Sequence, residues 1–336
     1  MFRYVASRLG LAIVMALLAT LVIFLIANTV PGDPVLAQLG DVAASNKEYL
    51  AQFRARWGLD LPLWERYFIF FKGLMHGDLG ISIATQRPVL DDIAAYAPAT
   101  IELATAGFFI SLVVGIPLGI LAAVRRDSWI DHTARFVSLI GVSSPTFWLA
   151  FVMLAVFYGG LQIAPGPGRL DPIALSPPTV TGLFLVDTAL AGDWHGFHDA
   201  LAHLVLPSVV LAATTLGLIT RTTRASMLES MQQDYVRMAR AKGLTERAVV
   251  ISHVLPNALI PVVTLGGLAY ANLLTGAVMT ETVFSWPGLG LYTFRSAAAL
   301  DFPAIMGITI VVAVTYLLIN LLIDISYALL DPRVLR

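Results

Sequence analysis

Cysteine is absent from the 336 residues. Neither a disulfide framework nor a thiolate metal site can therefore be built from this chain. Lysine is almost absent too: only Lys47, Lys72 and Lys242 occur, and none follows a glycine. A Walker-type phosphate loop needs Gly-Lys before Ser or Thr, because the lysine meets the phosphates. If ATP drives this protein, another polypeptide must bind it. No HExxH and no GxSxG occurs either. Ser143-Ser144 sits in an apolar run with no His or Asp at comparable depth, so an intramembrane hydrolase finds no support. Charge of both signs is scarce, at 13% of residues, against about 25% in soluble domains. The formal net charge of −1 provides no field that would favour nucleic acid.

What is abundant is apolar sequence, 57% of the chain. A spanning helix needs about 20 apolar residues, and six runs qualify: about 9–30, 99–124, 133–163, 201–222, 257–280 and 303–329. The first is longer than the 7–15-residue core of a signal peptide and reads as an uncleaved span. Dense turn signals at 31–34 end it. A polar section of about 65 residues follows. It holds a helix expected over 46–57 and an aromatic-rich piece, 62–75, too polar to span. Gly115 and Gly119 in the second run permit close helix contact. Ser143-Ser144-Pro145 marks a kink in the third.

Arginine and lysine cluster on one side of such a six-span chain. That side holds Arg3, Arg8, Arg125, Arg126, Arg135, Arg221, Arg224, Arg237, Arg240, Lys242, Arg247, Arg333 and Arg336. The short loops opposite carry only Arg169 and Arg295. Both termini are thus expected in the cytoplasm. The fold class expected is an all-α polytopic membrane protein. Its parts are an anchor helix (1–30), an extracytoplasmic section (31–97), a five-helix core (98–330) with a cytoplasmic segment at 227–256, and a tail (331–336).

Three ionisable residues fall inside or beside spans: Glu102 and Glu281 near outer ends and Asp324 near the inner end of the last. Each is close enough to an interface to snorkel or pair, and none stands at a span centre, where a proton-coupled carrier usually has one. His195, His198, Asp199 and His203 include i, i+4 pairs, but their spacing defines no metal-ligand set. Gly266, Gly267, Ala269, Ala271 and Gly276 in the fifth span allow close packing or room for a path. Asn272 and Thr275 beside them either line that path or make ordinary interhelical hydrogen bonds.

The segment 234–261 stands out between two apolar runs. It reads as two short helices around a bend. Gly243 is placed as the left-handed residue after the first. Thr245 can cap the second, with Glu246 favourable in its first turn. Pro256 and Pro261 disturb that helix where the next span begins. The segment is either a handle for a partner protein or a basic loop that fixes topology.

At this point the residues resemble a known family. The chain looks like an inner-membrane permease subunit of a bacterial ABC importer, the first permease of the dipeptide, oligopeptide and nickel systems. The family's signature is Glu-Ala-Ala, three residues, Gly, nine residues, Ile-x-Leu-Pro. Gly243, Leu255 and Pro256 match it; Arg237-Met238-Ala239 keeps only the last alanine, and His253 replaces the isoleucine. Ala239-Arg240-Ala241-Lys242-Gly243 is the form usual in the peptide branch. Similar stretches run through the whole chain, among them 30–34, 58–63, 77–82, 144–147, 203–207, 281–290 and 331–333.

The resemblance implies that Arg237, Ala239, Arg240, Ala241, Lys242, Gly243, Leu244, Leu255 and Pro256 form a coupling segment resting on a cytoplasmic ATPase. It implies a second permease, two ABC ATPase subunits that hold ATP and Mg²⁺, an extracytoplasmic solute-binding protein and surrounding lipid as partners. This chain itself would carry no cofactor, metal or catalytic residue, and no nucleic acid. Asn272, Thr275 and Glu281 would serve a translocation path or gate. The cargo implied is short peptides, with nickel, glutathione or opines as alternatives within the family. A stand-alone proton-coupled carrier and a non-transporting scaffold are the readings outside it.

Overall fold

A computed structural model describes residues 2–29 and 61–330. The turn expected at 31–34, the helix at 46–57 and the tail at 331–336 lie outside them. Among the described residues, five helices are long and apolar enough to cross a membrane: Ser7–Ile26, Val89–Val124, Trp194–Met231, Glu246–Gly276 and Phe302–Ile325. A bent pair, Trp129–Ser143 and Thr146–Gly160, makes a sixth span if counted as one. Six spans are what the apolar runs predict.

The chain divides into two compact units. The first comprises Met1–Thr100 and Pro287–Leu321. It contains α1 (Phe2–Thr29), α2 (Leu63–Met75), the start of α3 (Val89–Val124), α12 (Leu289–Ala298) and most of α13 (Phe302–Leu330). Phe24 of α1 meets Tyr67 edge-on at 5.3 Å and Phe70 at 5.9 Å. That contact gives the aromatic stripe of α2 an apolar partner, while Trp64 and Phe68 remain exposed.

Leu79, Val89, Ile93, Tyr292, Ala304 and Ile308 form the core of this unit. Two buried carboxylates organise its polar part. Asp92 accepts hydrogen bonds from Thr85 at 2.6 Å and from Tyr292 at 3.0 Å. Burial and this carboxylate together raise the Tyr292 phenol well above its ordinary value. Asp301 caps α13 through the Ala304 amide at 3.2 Å and also accepts from Ser82 Oγ and the Ala84 amide.

The second unit comprises Ile101–Trp286 and Leu322–Arg336. It contains the rest of α3, then α4 (Trp129–Ser143), α5 (Thr146–Met153), α6 (Phe184–Leu190), α7 (Trp194–Met231), α8 (Asp234–Ala241), α9 (Glu246–Val249), α10 (Leu255–Gly276) and α11 (Val278–Val283). α5 continues as a π-helical turn, Leu154–Gly160, and another, Val250–Val254, joins α9 to α10.

α7 is the helix on which this unit is assembled. Glycines of α3 pack against it at four-residue steps. A Cβ on Gly115 would lie 3.1 Å from Ile219, and one on Gly119 would lie 2.6 Å from Thr223. Lipid tails supply no hydrophobic drive between spans, so close backbone approach replaces it. α4 lies against the other side of α7, where a Cβ on Gly217 would sit 2.5 Å from the Ser138 carbonyl.

The third apolar run differs most from expectation. A kink was expected at 143–145, and the two halves in fact diverge by 106°. Pro145 cannot donate an amide to continue the ladder, and it drives the preceding residue out of the helical region. Ser144 is accordingly extended, at φ −81° and ψ 129°. The second and fourth spans are longer than the runs suggest. α3 has 36 residues and α7 has 38. α3 begins at Val89 and runs through Pro98, the residue before the predicted span, while Pro117 and Pro207 lie inside α3 and α7 as the runs place them.

Candidate functional site

The segment after α7 takes the predicted form. α8 runs from Asp234 to Ala241, with Lys242 as its C-cap. Gly243 follows at φ +80°. Its amide donates to Arg240 O at 2.9 Å and the Leu244 amide to Ala239 O at 3.4 Å. These are the two bonds of a Schellman turn, which needs a left-handed residue at that place. A Cβ on Gly243 would meet nothing within 4 Å. Backbone conformation, and not space, therefore selects glycine here.

Thr245 caps α9 by accepting from the Ala248 amide. Across the turn, Arg240 holds Glu246 through two bonds, Nε to Oε1 at 2.8 Å and Nη2 to Oε2 at 3.2 Å. Both side chains face solvent, so this pair orders the turn more than it stabilises the fold. A π turn at Val250–Val254 stands directly before Pro256, whereas α10 runs through Pro261 without a break. Pro256 lies in the first turn of α10, where a missing amide costs little, and Pro261 lies inside it.

One face of the segment is buried. Val236 and Ala239 of α8 pack with Ala123, Met227, Val249, Val254 and Ala258. Full burial of a valine side chain contributes about 1.5–3 kcal/mol. Tyr235 adds a polar tie, joined to Ser230 and to Asn257 Nδ2 at 3.2 Å. The opposite face is open. Arg237, Met238, Ala241, Lys242, Gly243 and Leu244 are all exposed. Met238 at 60% and Leu244 at 42% place apolar side chains among cations. Leu255 is half-buried and Pro256 exposed. The nine residues of the expected coupling segment thus divide between an anchored face, which carries Ala239 and Leu255, and a free one.

Asn272 and Thr275 occupy one turn of α10. Asn272 is exposed, and Thr275 donates to the Asn272 carbonyl at 3.2 Å. Glu281 lies on α11, fully buried, and its backbone carbonyl accepts from the Trp286 amide at 2.8 Å. His195 and His198 are exposed, whereas His203 is buried with Nδ1 3.0 Å from Asp199.

Glu102 finds a partner in Arg169, 67 residues along the chain. The Arg169 guanidinium lies 3.6 Å from the centre of the Phe184 ring and donates to Gly182 O at 3.2 Å. Glu102 also accepts from the Leu185 amide at 2.8 Å. A second knot forms around buried Asp187. It accepts from the Thr181 amide and hydroxyl at 2.8 and 2.7 Å and from the Gly182 amide at 2.8 Å. Burial pushes this carboxyl up, but these donors outweigh it and hold it below its ordinary value. A third joins Asp131 of α4 to Arg224 of α7. None of these three pairings is visible in local sequence, because their partners come from distant segments or from an irregular loop.

Comparison with known proteins bears on the same residues. A family described as "Binding-protein-dependent transport system inner membrane component" matches residues 115–336, and its companion N-terminal family matches residues 1–104. Over 328 residues the chain is 47% identical to "Probable D,D-dipeptide transport system permease protein DdpB" of Escherichia coli (strain K12), covering 97% of this chain and 95% of that protein. It is 41% identical to the "Dipeptide transport system permease protein DppB" of the same strain over 336 residues, 99% of each. It is 40% identical to the "Di/tripeptide transport system permease protein DppB" of Pseudomonas aeruginosa (strain UCBPP-PA14), again over 99% of each. A polytopic helical chain that matches both family models along almost its entire length is a permease, and this chain belongs to the inner membrane components of binding-protein-dependent transport systems.

Proposed function

We propose that the chain is one of two permease subunits of an ABC importer that moves short peptides into the cytoplasm. The observation that carries this reading is the segment 234–256. A Schellman turn at Gly243 presents Arg237, Met238, Lys242 and Leu244 outward from a buried anchor. Cations interleaved with exposed apolar side chains suit a protein groove better than bare solvent. The partner proposed for that face is a cytoplasmic ATPase. Closure of an ATPase pair around ATP and Mg²⁺ would pull on this turn, and the buried anchor would pass the motion into α7 and α10. The chain itself performs no chemistry. Asn272, Thr275 and Glu281 remain its candidates for path or gate.

Peptide cargo is favoured over nickel, glutathione or opines by the relatives, whose names specify di- and tripeptides along their full length. The remaining partners follow from the same reading: a second permease completes the path, and a solute-binding protein delivers cargo from outside.

The test is copurification from mild detergent followed by reconstitution. The reading expects a second permease and ATPases to copurify, and peptide uptake in liposomes to require ATP inside the complex. Transport by this chain alone, driven by a proton gradient, would sink it in favour of a carrier.

A further inference from the structure

The strongest polar contact between α4 and α7 plays no part in the coupling face itself. Asp131 is fully buried in the first turn of α4. Arg224 of α7 grips it with two bonds, Nε to Oδ1 at 2.6 Å and Nη2 to Oδ2 at 2.8 Å. Oδ2 also accepts from Arg135 Nη2 at 2.9 Å and from the Asp127 amide at 3.1 Å. Arg135 and Asp127 belong to α4 or the turn before it. Only Arg224 reaches another helix.

We infer that Asp131 and Arg224 are positioning residues that fix the register of α4 on α7, so that the bent third span follows the coupling segment. The inference rests on the coupling reading above and extends it to a second helix. Three contacts carry it, and they step in opposite directions along the two helices. Seven residues beyond Asp131, Ser138 O approaches Gly217, which is seven residues before Arg224. One turn further, Ala213 O approaches Gly141. The two helices thus run antiparallel in constant register from the ion pair to the bend at Ser144. Arg224 stands two turns before the end of α7 at Met231, and α8 begins three residues later. A displacement of the Gly243 turn therefore reaches Arg224 through a short, continuous piece of chain.

The choice of ions over apolar side chains supports a role in register. Replacing a buried ion pair with apolar residues is often neutral or stabilising, and the best-attested use of such pairs is specifying register. Apolar side chains can slide past one another, whereas a two-pronged guanidinium–carboxylate contact has a single geometry.

The test uses the assembled complex in proteoliposomes, with peptide uptake and ATP hydrolysis measured together. Asp131→Leu combined with Arg224→Met should keep the thermal midpoint near that of the wild type. Peptide moved per ATP should nevertheless fall roughly three- to tenfold. Exchanging the charges, Asp131→Arg with Arg224→Asp, should recover part of the loss. Arg135→Gln, which removes the donor within α4 only, should leave the ratio close to wild type. If the apolar pair does not accumulate, Arg224→Lys keeps the charge, loses the two-pronged geometry and is read in the same way. An apolar pair or Arg224→Lys that couples like wild type would overturn the inference, and so would an equal loss from Arg135→Gln. Failure of the wild-type complex to take up peptide with ATP would instead overturn the coupling reading, and this inference with it.

Discussion

Gly217 of α7 faces the Ser138 carbonyl of α4 so closely that a Cβ there would lie 2.5 Å from the oxygen. No side chain fits without moving backbone. Gly217→Ala should therefore separate the two helices and destabilise the protein by about 1–3 kcal/mol. Gly276→Ala is the matched control, because a Cβ there meets nothing within 4 Å. Thermal unfolding in detergent should show a lower midpoint for the first variant only. Equal midpoints would mean that α4 and α7 are not in close contact.

Gly243 presents the opposite case, with ample space and a demanding backbone. A left-handed conformation costs a residue with a side chain roughly 1–2 kcal/mol, and asparagine tolerates it best. Gly243→Val should insert normally and hydrolyse ATP poorly coupled to uptake, while Gly243→Asn should retain most transport. Uptake by the valine variant equal to wild type would count against the turn as the coupling element.

Glu102 and Arg169 are each buried and each depends on the other. Glu102→Gln leaves the guanidinium without its counter-charge, at a cost of about 3–5 kcal/mol. Glu102→Leu combined with Arg169→Met removes both charges and should recover most of the loss. Wild type, Glu102→Leu, Arg169→Met and the double variant, compared by thermal unfolding, form a double-mutant cycle. Additive losses would show that the two side chains do not interact.

The knot around Asp187 predicts a dependence on pH. Its folded carboxyl titrates below the ordinary value, so the folded state prefers the carboxylate. That contribution is complete above the ordinary carboxylate pKa of about 3.9. It is lost as pH falls below this value and through the lower folded one. Protection of the Val180, Thr181 and Gly182 amides against exchange, relative to an unstructured peptide at the same pH, should fall across that acid range. In Asp187→Asn the same amides should exchange faster at neutral pH and respond less to acid. A wild-type profile with no acid step would exclude the carboxylate as the anchor.

Sequence by itself determined the elements whose cause is local. The span count follows from run length, because a bilayer accepts little else. The Gly243 turn and the Thr245 cap follow from residues within a few positions of each other, since the Schellman and capping bonds close short rings. The signature at 243–256 made the family legible for the same reason. Proline was a poorer guide at the start of the second span, where helix α3 runs through Pro98. Neighbouring spans and side chains can compensate the freed backbone groups there, and no local pattern announces them.

Tertiary structure alone decided which polar groups meet. Asp131 and Arg224 stand 93 residues apart in the chain, and Glu102 and Arg169 stand 67 apart. In sequence each is an isolated charge near a span end, equally able to snorkel to water. Desolvation is what forces a partner on it, and desolvation exists only once the helices have packed. The 106° bend at Ser144–Pro145 has the same origin. Proline opens the ladder, and the packing of α4 and α5 against α7 sets the angle.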